Sequence, residues 1–208
     1  MILRSLLTFI FFLPMFSSHQ DVERSTLMDI LWHQDQRNLG GGRLERYVAD
    51  SDWQVRMRAA LAFPSVQDTS ALPALLEALS DSREEVRVAA ALAVGQTAGY
   101  VTSPTTSWAA GGILSQSEES PLNALRSETS TAVQGRIIEA LGKFGSETAP
   151  SRLIEWGRRR EEVETRRELA HSVARFAVRG LVTDEAARTV VRFSVIQAGD
   201  PRGDGWGG

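Results

Sequence analysis

Asp50-Ser-Asp-Trp53-Gln-Val55-Arg56-Met-Arg-Ala59-Ala60-Leu61-Ala-Phe63 and Asp81-Ser-Arg-Glu-Glu-Val86-Arg87-Val-Ala-Ala90-Ala91-Leu92-Ala-Val94 are copies of one another, 31 residues apart. Asp, Val and Arg recur at that spacing, and so does the Ala-Ala-Leu-Ala core. A repeat of this length with apolar residues at helical spacing predicts an all-α chain built as an α-solenoid. One such unit cannot close a core by itself. It must stack on neighbours, which leaves a long curved face suited to holding another macromolecule.

Working outward, Val133 stands nine residues before Gly142, as Val86 stands nine before Gly95, which marks a third copy. A fourth sets Leu169, Val173 and Phe176 where the third has Ile137, Leu141 and Phe144, with Thr165 in the place of Val133. Upstream, Met28, Leu31 and Trp32, followed by Gln34-Asp35, read as the last turn of a degenerate unit. The same Gln-Asp pair returns at Gln67-Asp68 after a helix expected over Ala59 to Val66. The count is about four helix pairs, with atypical outer ones.

Within a unit, Leu72, Leu75, Leu76 and Leu79 make one apolar stripe and Val86, Ala90 and Val94 the next. Ser70 is placed to cap the first helix, and Asp81 or Ser82 the second. Small residues gather on the second helix (Ala59, Ala60, Ala62; Ala89, Ala90, Ala91, Ala93), where they permit close stacking. Between Gly95 and Val133 the chain carries more residues than the period requires. This insertion, 98–127, is expected to be loop at Gly99 to Trp108 and at Ser115 to Pro121, around a short apolar helix near Ala109 to Leu114. Gly40-Gly41-Gly42 lacks a following Lys-Ser or Lys-Thr and reads as a flexible turn between units rather than a phosphate loop.

These units resemble HEAT repeats, and within them the short bacterial HEAT-like type of the phycobilin lyases. In that type a turn aspartate is followed six residues later by an arginine, and the pairs form a hydrogen-bonded ladder between units. The resemblance, over about residues 28 to 192, implies such pairs at Asp50 with Arg56 and at Asp81 with Arg87. Glu128 and Gln134, then Arg160 and Arg166, occupy the equivalent places, so the ladder is expected to end after two rungs. The run from Ala59 through Gln67-Asp68 and Leu72-Pro73 to Gly95-Gln96-Thr97 is also similar to the N-terminal HEAT region of secreted bacterial cyclophilin-type peptidyl-prolyl isomerases. That resemblance implies a substrate-holding arm whose catalytic domain is absent from this chain. A tetrapyrrole holder of the lyase kind is a further implication.

Composition narrows the function classes. The N-terminus reads as a signal peptide over 1–18: a basic start, the apolar run Leu6 to Phe16, then Ser17-Ser18 before polar residues. Export to the periplasm or the medium follows as an expectation, with no membrane span after cleavage. The repeat region is set at 24–198 and a Gly-rich tail or linker at 199–208. With no cysteine there is neither disulfide nor thiol chemistry. A net charge of −3 argues against a general nucleic-acid binder.

A local arginine cluster, Arg152, Arg158, Arg159, Arg160, Arg166, Arg167, Arg175 and Arg179, is interleaved with glutamates and reads as a solvated face with pairs such as Glu162 with Arg166. An acidic-partner site is the lesser alternative. His19, His33 and His171 are scattered and lack the His-Glu pairing of iron-binding HEAT-like hydroxylases, so no metal, cofactor or catalytic residue is expected. His171 is assigned to an exposed helix face, and Trp156, with Leu153 and Ile154, to the core. The expected partner is a protein or peptide segment, and the candidate contacts are the aromatics Trp53, Tyr100 and Trp108.

Overall fold

The computed structural model describes residues 17–101, 111–160 and 162–182, with side chains described at 24–99, 118–160 and 162–182. Residues 1–16 of the expected signal peptide, Trp108 and the Gly-rich tail lie outside these residues. Within them all regular structure is helical, with no strand. Helix α1 (Ser17–Asp35) is followed by α2 (Arg43–Val48), α3 (Trp53–Ala60), α4 (Phe63–Val66), a 3-10 turn (Thr69–Ala71), α5 (Leu72–Ala78), α6 (Glu84–Val101), α7 (Gly111–Ser127), α8 (Thr131–Phe144), α9 (Ala149–Gly157) and α10 (Val163–Val178). Four first-and-second-helix pairs result: α2 with α3–α4, α5 with α6, α7 with α8, and α9 with α10. Helix α1 packs on α3 and α4 at the N-terminal end.

The second helices form one layer, because α3 packs on α6, α6 on α8, and α8 on α10. Their alanines Ala59, Ala60, Ala89, Ala90, Ala91 and Ala93 are all buried, and so are Ile137, Leu141, Phe144, Leu169, Val173 and Phe176 of the later copies. Glycine sets the spacing at two of these crossings. A methyl group at Gly95 would stand 2.9 Å from Ala140 Cα, and one at Gly142 would stand 2.6 Å from Ser172 Oγ. Ala140 is two residues before Gly142, and Ser172 is its counterpart in the next unit, so one contact is used twice. Ser172 completes the second crossing by donating its hydroxyl to the Ile138 carbonyl at 2.8 Å.

Several local expectations are corrected. The helix expected over Ala59 to Val66 is broken between Ala60 and Phe63. Pro64, in the first turn of α4, has no amide hydrogen and its ring clashes with the carbonyl four residues back, so the helix must restart there. Asp68 rather than Ser70 caps the next segment, accepting from the Ser70 amide at 2.9 Å. Ser115 to Pro121 is helical, as part of α7, and Pro121 is buried within it. Packing of α7 on α5 and α8 overrides the local breaker. The turn Gly40-Gly41-Gly42 holds three successive left-handed conformations, φ 63°, 64° and 84°, that favour glycine. Met28, Leu31 and Trp32 lie on the outer side of α1, 61%, 43% and 61% exposed, while Ile30 and His33 face inward.

Candidate functional site

The first three inter-helix turns are built alike. The carboxylate that opens it accepts the amide two residues on: Asp50 from Asp52 at 2.8 Å, Asp81 from Arg83 at 2.8 Å, Glu128 from Ser130 at 2.8 Å. Six residues after the opening residue, a side chain on the second helix returns to that residue's carbonyl. Arg56 donates to Asp50 O at 2.9 Å, Arg87 to Asp81 O at 3.0 Å, Gln134 to Glu128 O at 2.7 Å and Arg166 to Arg160 O at 2.7 Å. All four units share this bond although only three use arginine.

The carboxylate contacts of the arginines run between units. Arg56 holds Asp81 through Nε at 2.7 Å and Nη2 at 3.0 Å, and Arg87 holds Glu128 through the same atoms at 2.7 and 3.1 Å. Asp81 therefore pairs with the arginine of the preceding unit, and Arg87 reaches its own aspartate only at the backbone. The Arg56 guanidinium holds the Asp81 carboxyl below its ordinary range, against the opposing effect of burial. At Glu128 burial pushes upward, yet Arg87 and the Ser130 and Thr129 amides bring the net shift downward. Beyond this point the cross-unit contact has no equivalent, because Gln134 bears no charge and the next turn opens with Arg160.

A groove of about 840 Å³ crosses the second-helix layer. Gly95 and Gly99 of α6 and Gly142 of α8 line it at the close helix crossings, and Gln67 and Ala174 contribute to its sides. Lys143, Arg175 and Arg179 make its lining cationic, with the His171 imidazole beside them. Lys143 is paired with Glu139 at 2.8 Å and Arg175 with Glu168 at 3.0 Å. His171 is exposed on α10, 3.7 Å from Glu168. Among the described residues no group of His, Cys, Asp or Glu is arranged to hold a metal ion.

The aromatic candidates separate. Trp53 is half-buried at the start of α3, with the Arg83 guanidinium 4.5 Å above its ring, so the following unit covers one of its faces. Tyr100 is on α6, next to groove residue Gly99, with its side chain outside the described residues. Trp108 lies wholly outside them. Trp156, assigned to the core by its apolar neighbours, does pack against the core while half-buried, and it also lines a surface pocket.

Arg166 is also placed differently from the solvated pair expected with Glu162: it is 7% exposed and turned to the Arg160 carbonyl. The groove itself could not be read from sequence, since its lining comes from three helices far apart in the chain. The recurring Gly95 and Gly142 were the available signal.

With this geometry in place, comparison shows that residues 42–107 match the HEAT repeats family. The chain carries HEAT-like repeats and folds as an all-α solenoid. No curated protein matches it.

Proposed function

We propose that these HEAT-like repeats form a non-catalytic scaffold that holds a segment of another protein along the groove of the second helices. The observation that carries this is the groove itself, continuous over α6, α8 and α10, lined by Gly95, Gly99 and Gly142 where the helices approach closely, and bordered by polar side chains. An extended segment gains there from apolar burial on the helix faces and from hydrogen bonds at the polar border. Tyr100 and Trp108, from the insertion, are the proposed aromatic contacts, and Trp53 a third. Export to the periplasm or the medium, from the basic-then-apolar N-terminus, belongs to the same proposal.

A photo-crosslinking residue at Ala174, on the groove, tests this in the cells that make the protein, against the same residue at Gln36, which is exposed and does not line it. The expected result is a discrete protein adduct from Ala174 alone. Equal adducts from both positions, or none from Ala174, would remove the groove from the function. The second proposal, a substrate-holding arm of a cyclophilin-type isomerase, is supported by the run Ala59 to Thr97. Reading the DNA beyond the Gly208 codon and assaying the whole product for prolyl isomerisation decides it.

A further inference from the structure

We propose that the first-helix layer carries a second binding site, separate from the groove, that takes a glutamate or aspartate side chain of a partner polypeptide. The site is a pocket of about 470 Å³ between α7 and the α9–α10 turn. Arg126 comes from α7, Arg152 and Trp156 from α9, and Arg159 and Arg160 from the turn. Four guanidinium groups from three segments thus surround one indole.

The donors in this pocket outnumber its acceptors. Arg152 is committed to Glu119 in a two-point pair, and Glu155, the acidic residue in the lining, is taken by Arg158 at 3.0 Å. Arg126 hydrogen-bonds only the neutral Asn123 side chain, at 3.0 Å, with Glu119 near enough to feel its charge, and Arg159 makes no ion pair or hydrogen bond among the described residues. The Arg160 guanidinium lies 4.6 Å over the Trp156 ring, a contact that spends charge on the π face without using its N–H groups. Arg160 Nε and the Trp156 indole nitrogen are both buried with no hydrogen-bond partner. Both are obligate donors closed off beside the Arg160–Trp156 stack, so a carboxylate reaches them only by shifting that contact. An ionised carboxylate accepts only, offers two oxygens to a guanidinium fork, and is the right sign for Arg126 and Arg159.

Two features select a polypeptide over a nucleic acid. The chain is net acidic at −3, and Glu119 and Glu155 stand beside the pocket, where they would repel a continuous phosphate backbone but tolerate one discrete charge. The indole beside the cations also suits an apolar side chain next to the acidic one.

Fluorescence anisotropy of the full chain with a fluorescein-labelled peptide of alternating glutamate and leucine tests the site, with glutamine in place of glutamate as the control. Saturable binding is expected, about tenfold or more tighter for the glutamate peptide. Arg159→Glu is expected to lower that affinity at least about tenfold with an unchanged melting temperature, because Arg159 is exposed and makes no ion pair or hydrogen bond among the described residues. Trp156→Phe keeps the ring under Arg160, removes the donor and is expected to weaken binding severalfold. Equal binding of the two peptides, or undiminished binding by Arg159→Glu, would overturn the proposal. So would a single-stranded oligonucleotide that displaces the peptide and binds more tightly. Loss of peptide binding in Arg175→Glu, with Arg159→Glu unaffected, would place the acidic segment in the second-helix groove instead.

Discussion

Arg56 does two jobs with one planar group. Its Nη1 closes its own turn on the Asp50 carbonyl, while Nε and Nη2 grip Asp81 of the next unit. Lysine offers a single ammonium and cannot reproduce this fork. Arg56→Ala leaves the half-buried Asp81 carboxylate without its cation and is expected to cost about 3 kcal/mol, read from urea denaturation. Arg56→Lys should recover only a minor part. The glycine crossings form the other residue-scale constraint. Gly142→Ala drives a methyl group into Ser172, whose hydroxyl is already bound to Ile138, so relaxation breaks a buried hydrogen bond. A loss of about 1–3 kcal/mol is expected, visible as a lower denaturation midpoint.

Helices α7 and α9 show how an element is held where its own sequence is weak. Helix α7 contains Pro121, yet it is joined to the turn before α9 by Glu118, which is 2% exposed. The Glu118 carboxylate accepts from the Ser146 amide and the Thr148 hydroxyl, both at 2.7 Å. Glu118→Ala would strand these donors and is expected to cost about 2 kcal/mol. Faster hydrogen exchange confined to the Ser146 amide and α9 would be the signature. Uniform acceleration along the chain would show instead that Glu118 supports the whole stack. The break between α3 and α4 is of the opposite kind, a local rule that survives packing: Pro64 interrupts a helix whose neighbours in later units run on unbroken.

Over the whole molecule, stability is tied to pH through the carboxylates between units. Asp81 and Glu128 both have folded values below their ordinary ones. Such a group adds stability at pH above its unfolded value and loses it as pH falls through the folded value. Stability should therefore be flat near neutrality and decline on acidification below the ordinary carboxylate range. Replacing Arg87 by Gln removes one cause of the Glu128 shift, so urea midpoints followed against pH should show a shallower acid limb for that variant. An unchanged limb would mean that the cross-unit pairs do not govern acid unfolding.

Helicity, the period and the residues that face inward were legible in the chain itself, because burial on a stacked helix demands apolar or small side chains at 3.6-residue spacing. Val133, Ile137, Leu141, Leu169 and Val173 record that demand directly. The residues that meet across units were not legible. Sequence places Asp81 nearest Arg87 in the repeat, but the rise and rotation of each unit on the next bring Arg56 to it instead. The same stacking turns Met28, Leu31 and Trp32 outward on α1, sets Gly95 against Ala140, and gathers Arg126, Arg152, Arg159 and Arg160 around Trp156. Periodicity encodes which face of a helix is buried. The relative placement of units, which depends on every packed side chain between them, decides what that face touches and which cations and donors remain for a partner.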